Sequence, residues 1–80
     1  MLIMQVQERY SENMKSLRDA MQHDYVKVGC GGVFMELARC YQHYQNTIAR
    51  MVNEGKLTRS EGNQAAEWNE IMSFLLERTM

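Results

Sequence analysis

The chain has 80 residues, and its 9 Lys and Arg against 10 Asp and Glu give a formal net charge of −1. This length fits one domain over residues 1–80, and the absence of a basic run disfavours nucleic acid as the main partner. The opening MLIMQV has no basic flank, and no apolar stretch is long enough to cross a bilayer. We therefore expect neither a signal peptide nor a membrane span, and a cytoplasmic protein.

A monomer of this size buries only about 60% of the surface of its unfolded chain, so its stability is small. Cys30 and Cys40 are too few for a disulfide framework and fit a reducing compartment. The chain has no proline and eight methionines, which suits uninterrupted helices and adaptable protein-binding surfaces. These features favour stabilisation by self-association.

The first predicted element is an amphipathic helix over about residues 3–23. Apolar side chains recur there at steps of three and four, at Ile3, Val6, Tyr10, Met14, Leu17 and Met21. Asp24 and the β-branched Val26 and Val28 end this pattern.

The second predicted helix covers about residues 33–54. Its apolar residues alternate steps of three and four as in a heptad seam, at Phe34, Leu37, Tyr41, Tyr44, Ile48 and Met51. Gly55 follows as a left-handed C-terminal cap.

The third predicted helix covers about residues 59–78, after a capping box formed by Thr58 and Glu61. Gly62 weakens its first turn by about 1 kcal/mol relative to alanine. A broad apolar face follows, at Ala65, Trp68, Ile71, Met72, Leu75 and Leu76. The short connection predicts an antiparallel hairpin of helices 2 and 3, so the fold is all-α, with a glycine hinge after helix 1.

The stretch VKVGCGGVF between helices 1 and 2 has two interpretations. Its backbone amides, with Lys27, Gly29, Gly31 and Gly32, form a possible anion-binding loop before a helix. A phosphate loop needs a βαβ unit or a GK[ST] ending, and neither is present. We favour a hinge that decides whether helix 1 folds back on its own chain or crosses to a neighbour.

Catalytic and metal sites find little support. Cys40 and His43 lie one turn apart, but Cys30 and His23 supply no second close ligand pair, so we predict no metal and no cofactor. A Cys30 nucleophile lacks a nearby base, and the glutamates fall on polar faces. The chain is therefore predicted not to be an enzyme.

A DNA-binding helix-turn-helix is a further alternative, with its turn at NEGKLTRS. Arg59, Ser60, Asn63 and Gln64 would then face a groove. Glu61 and Glu67 lie in or near the same surface, which opposes contact with phosphates.

The amphipathic faces are the candidate functional surface. Tyr and Trp at helical spacing form either core or binding hot spots, and the sequence does not separate the two uses. The candidate oligomer or partner interface comprises Tyr10, Met14, Leu17, Met21, Phe34, Tyr41, Tyr44, Ile48, Trp68, Met72 and Leu75.

Segments such as ERYSENMKSLRDAM and NQAAEWNEIMSFLLERTM give the chain a resemblance to small helical accessory proteins of temperate phages and mobile elements. It is most similar to the antirepressors, short helical oligomers that displace a phage repressor from its operator. The resemblance implies a non-enzymatic module that self-associates and inhibits or sequesters a protein, a repressor or host factor, in the host cytoplasm. Alternatives are an anti-defence inhibitor, a small nucleotide-sequestering oligomer using the glycine loop, and a DNA-binding regulator.

Overall fold

The computed structural model describes residues 11–31 and 34–79 of the chain. These residues contain three helices, α1 (Glu12–Gly29), α2 (Phe34–Asn53) and α3 (Arg59–Thr79), and no strand. The predicted all-α architecture is confirmed, as is the packing of α2 against α3.

Helix α1 begins later than the apolar repeat suggested. Ser11 has an extended backbone and is the N-cap, and its hydroxyl accepts a hydrogen bond of 3.1 Å from the Met14 N–H. Capping by serine satisfies one of the free amides at a helix start. The repeat positions Ile3, Val6 and Tyr10 lie outside the described residues.

Helix α1 also continues six residues past the predicted end at residue 23, as far as Gly29. Tyr25 is buried and Val28 packs against the core, so this last part of α1 contributes apolar surface to the bundle. The weak helix propensity of Val26 and Val28 costs only a fraction of a kcal/mol each. Burial of Tyr25 outweighs that cost, because a buried aromatic side chain removes a large area from water.

The connection between α2 and α3 has the predicted caps at both sides. Gly55 has φ of 75°, and the Gly55 and Lys56 N–H groups donate to the carbonyls of Val52 and Met51 at 3.1 and 2.9 Å. This pair of bonds is a Schellman motif. Thr58 and Glu61 form the capping box, with reciprocal bonds of 2.9 and 3.1 Å.

The three helices enclose one core, with α1 and α3 parallel and α2 antiparallel to both. Ser11 at the start of α1 bonds Glu61 near the start of α3, and Gly29 at the end of α1 lies beside Leu76. Helix α1 therefore folds onto its own chain. The buried apolar side chains are Met14, Leu17, Met21, Tyr25, Leu37, Tyr44, Ile48, Leu57 and Ala65.

Gly62 has a packing role that helix propensity does not reveal. It is buried, and a Cβ at this position would lie 2.4 Å from Val52 Cγ2. The missing side chain lets the first turn of α3 approach α2 closely, which offsets the conformational cost of glycine in a helix.

The bundle has two unlike halves, which we name here. The capped half contains the start of α1 and the α2–α3 connection, with Ser11, Gly55, Thr58 and Glu61. The apolar half contains the end of α1, the start of α2 and the second half of α3. Its exposed apolar side chains are Val26, Met35, Ile71, Phe74 and Leu75. None of the helices in the described part has the length and apolar character needed to cross a bilayer.

Candidate functional site

Five of the predicted interface residues belong to the core of the single chain. Met14, Leu17, Met21, Tyr44 and Ile48 are each at most 5% exposed. They are covered by the other helices of the same molecule, so they are not available to a second protein in this arrangement.

The other predicted interface residues differ in exposure. Tyr41, Trp68 and Met72 are half-buried, while Leu75 is 57% exposed. Tyr10 and the side chain of Phe34 lie outside the described part of the structure. Trp68 is covered on one side by the Arg18 guanidinium, 5.0 Å from the ring centroid. Of the described candidates, Leu75 is thus the most accessible.

The five exposed side chains of the apolar half are the main accessible apolar surface of the described chain. Val26 is on α1, Met35 is on α2, and Ile71, Phe74 and Leu75 are on α3. Their exposed fractions lie between 49% and 65%. The capped half has no large exposed apolar side chain among the described residues. Large exposed apolar side chains that are concentrated at one end of a domain make that end a candidate interaction surface.

A groove of about 460 Å³ runs between α2 and α3 in the apolar half. Leu37, Tyr41 and Phe74 supply apolar lining, and Glu70 and Glu77 line it as well. Apolar lining with a few polar groups suits the apolar side chains of a bound helix.

A second groove of about 460 Å³ lies between the end of α1 and the start of α2. It contains Lys27 and Gly31 of the predicted anion loop, together with Arg39 and the carboxylates of Asp24 and Glu36. Glu36 is 3.5 Å from the Arg39 guanidinium. The two cations are thus balanced by two carboxylates, which leaves little net attraction for an anion.

The wall of this second groove is held by a hydrogen bond from the Tyr44 hydroxyl to Asp24. This bond is the largest influence on the Asp24 carboxyl and lowers its pKa, while burial and the same bond raise the pKa of Tyr44. Burial also raises the pKa of the half-buried Cys40 thiol. A raised pKa opposes formation of the thiolate, so Cys40 has the character of a packing group.

The predicted anion loop uses part of its own amides. The Cys30 N–H donates to the Val26 carbonyl at 3.0 Å, and the Gly31 N–H donates to the Val28 carbonyl at 3.4 Å. Gly29 belongs to α1, and Gly32 lies outside the described residues. Cys30 is exposed at the C-cap of α1 and not at the start of a helix, where its thiol would be activated.

A buried polar network joins all three helices, and sequence reasoning missed it. Asn69 is fully buried, and its side-chain oxygen accepts a hydrogen bond from the Tyr25 hydroxyl. Its amide donates to the Tyr41 carbonyl at 3.0 Å and to Gln45 Oε1 at 3.1 Å. The signal in the sequence was Asn69 at step four from Ala65, within the apolar face. A fully satisfied buried network helps to specify one packing of the helices.

Glu61 forms the predicted capping box at the start of α3, and it also joins the start of α1, which the sequence did not indicate. Its carboxylate caps Thr58 and also accepts hydrogen bonds from the Ser11 N–H and hydroxyl, at 3.2 and 2.7 Å. The Thr58 N–H, followed by the Ser11 hydroxyl, lowers the pKa of Glu61. This carboxylate therefore has a structural role in the capped half.

The residues of the helix-turn-helix alternative lie at the start of α3. Arg59, Ser60 and Asn63 are exposed and Gln64 is half-buried. Glu67, exposed on the same helix, adds negative charge to this surface. Such a surface is unfavourable for phosphate contacts.

Metal-binding side chains do not converge in residues 11–31 and 34–79, where no three His, Cys, Asp or Glu groups are placed to hold an ion. Comparison with known proteins gave no match to a family model, a curated protein or a solved structure.

Proposed function

We propose that the protein is a non-enzymatic interaction module that self-associates and captures another protein through its apolar half. The observation that supports this most is the confinement of the five large exposed apolar side chains to that half. Leaving such groups in water is unfavourable, and a bound protein would remove them from it. The α2–α3 groove beside Phe74 would accept apolar side chains of the partner.

Within this function, an antirepressor-like role is the specific form that we propose. The protein would bind a phage repressor, or another regulator or defence protein of the host cytoplasm, and remove it from its target. Near-neutral charge fits a protein target better than a nucleic acid.

The test uses the full chain immobilised as bait in a lysate of its source organism, with a Val26→Gln/Met35→Gln double variant as matched bait. We expect a partner to be retained by the wild type and lost by the variant, and the purified partner to bind in calorimetry. If that partner is a repressor, adding the protein should release it from its operator. Equal retention by both baits would contradict binding through the apolar half.

A small anion is a second candidate ligand, because Lys27 and Arg39 line the α1–α2 groove, although Asp24 and Glu36 offset their charge. A nucleotide should then raise the melting temperature, and Lys27→Ala should remove the increase. Unchanged melting over a panel of nucleotides would rule this candidate out.

A further inference from the structure

The solvent-facing side of α3 carries a stripe of four residues in which two apolar side chains lie between an acidic and a basic one. Glu67, Ile71, Phe74 and Arg78 follow steps of four, three and four, which places them within about 60° on one side of a helix. All four are exposed, and they point away from the core positions Ala65, Asn69 and Leu76 of the same helix. Along the chain the stripe reads acidic, apolar, apolar, basic.

This order is complementary to itself when a second copy runs in the opposite direction. A twofold axis between residues 72 and 73 sets Ile71 opposite Phe74 of the second copy, and Glu67 opposite Arg78 of the second copy. The same two contacts recur on the other side of the axis, as a twofold interface requires. A parallel arrangement would instead place like charges together at both ends.

We infer that a second copy of this chain binds to this stripe, forming an antiparallel dimer through α3. The inference rests on the self-association in the proposed function and identifies the surface that performs it. Ile71 and Phe74 would lose their contact with water at the centre, and two ion pairs would border them.

Arg78 is already positioned along this stripe. Its guanidinium lies 4.6 Å from the centroid of the Phe74 ring, with which it forms a cation–π contact. A guanidinium stacked on a ring still has N–H donors at its edge, so it can donate hydrogen bonds to a carboxylate there. Holding the side chain in place lowers the entropy lost when the ion pair forms.

The stripe is only about 16 Å long, so the contact area is small. Small interfaces are usually weak and reversible. The dimer is therefore expected to form in a concentration-dependent way, at high micromolar protein, with the helical bundle of each copy unchanged.

Sedimentation equilibrium of the full chain tests the inference through its charges. Glu67→Arg or Arg78→Glu alone places like charges together twice in each dimer and should raise the dissociation constant at least about tenfold. The double variant Glu67→Arg/Arg78→Glu restores opposite charges and should dimerise as the wild type does. Asp19→Arg, the same charge change on the exposed face of α1, is the matched control and should have no effect.

A mixture of the two single variants gives the sharpest result. One chain then has two basic ends and the other two acidic ends, so a mixed dimer should form although neither variant dimerises alone. Ile71→Ser/Phe74→Ser should abolish the dimer while the melting curve of the monomer stays close to that of the wild type.

Two results would overturn the inference in different ways. If the wild-type chain stays monomeric, both this dimer and the self-association in the proposed function are ruled out. An oligomer that is insensitive to the charge variants removes this dimer alone, and self-association then uses another surface. Capture of a partner protein is measured separately, so its failure is not confused with either result.

Discussion

The capped half and the apolar half of the bundle differ in how their surfaces are satisfied. Hydrogen bonds pair the polar groups of the capped half, whereas apolar side chains are exposed in the apolar half. In the capped half, Ser11, Thr58 and Glu61 share one set of hydrogen bonds, and Asn13 donates to the Lys56 carbonyl at 3.1 Å. Leu57 of the connecting turn is 3% exposed and closes the core there. In the apolar half, large apolar side chains remain in contact with water on all three helices.

This difference separates folding from binding. Short-range capping satisfies the backbone groups of the capped half, which stabilises the bundle without a partner. The exposed side chains of the apolar half add little to the stability of the monomer and provide area for association. Substitutions in the two halves should therefore change different measured quantities.

The largest expected effect concerns Asn69, whose buried network joins all three helices. Asn69→Ala should lower the free energy of unfolding by about 2–3 kcal/mol, because it leaves the Tyr25 hydroxyl buried without its acceptor. Urea unfolding measures this loss. The double variant Tyr25→Phe/Asn69→Leu should recover part of it, since both polar partners are then replaced. A double variant as unstable as Asn69→Ala would show that altered side-chain packing at position 69, and not the unpaired Tyr25 hydroxyl, causes the loss.

Gly62→Ala should destabilise the capped half by about 1–2 kcal/mol, although alanine favours helices. The added methyl group would lie 2.4 Å from Val52 Cγ2, and a β-branched side chain has little freedom to move aside. Thermal unfolding should show a partial recovery in Gly62→Ala/Val52→Ala. If Gly62→Ala alone raises the melting temperature, the close approach of α2 and α3 is not required.

Glu61→Ala should cost about 1–2 kcal/mol, because it removes the capping box of α3 and the acceptor for Ser11. Glu70→Ala, an exposed glutamate of the same helix, is the matched control and should change stability by less than about 0.5 kcal/mol. Chemical denaturation compares the two. Equal losses would mean that Glu61 stabilises the fold through its negative charge and not through its hydrogen bonds to Thr58 and Ser11.

Acid should weaken the capped half through the same carboxylate. Hydrogen bonds hold the pKa of Glu61 below its ordinary value of 4.5, so its contribution is present above that pH and is lost as the pH falls toward the folded value. Asp24, whose pKa is lowered from 3.8 by the Tyr44 hydroxyl, adds to the loss at lower pH. In Glu61→Gln, the unfolding midpoint should decrease less steeply over this acidic range. An unchanged slope would assign the acid sensitivity to other groups.

The smallest effect on stability should come from the apolar half. Val26→Gln/Met35→Gln should shift the free energy of unfolding by less than about 0.5 kcal/mol, because both side chains are more than 60% exposed. The same variant should lose partner capture. A large loss of stability in circular dichroism melting would mean that these residues support the fold, and the contrast between the halves would fail.

The local elements of the fold could be predicted from the sequence because their causes are local. The heptad spacing of α2, the Gly55 cap and the Thr58–Glu61 capping box each depend on residues a few positions apart, and all are present. The predicted end of α1 was six residues too early, because the prediction relied on the low helix propensity of Asp24, Val26 and Val28. Burial of Tyr25 against other helices overrides those preferences.

The candidate interface was only partly predictable, because an amphipathic face shows which residues avoid water but not what covers them. Met14, Met21 and Tyr44 proved to be covered by the same chain, whereas Leu75 remained accessible. The exposed stripe of Phe74 and its neighbours could not be separated from the broad apolar face of α3 until the packing of α1 and α2 was known.

The sequence by itself determined the helical class, the Gly55 cap, the Thr58–Glu61 capping box and the hairpin of α2 and α3, since periodicity and capping act over a few residues. Only the tertiary structure decided that α1 folds back on its own chain, that Gly62 gives α2 room, and that Glu61 joins two helix starts. It also decided that Asn69 is buried. These features depend on residues far apart in the chain that come into contact only when the helices pack. Their spacing in the sequence therefore does not predict those contacts.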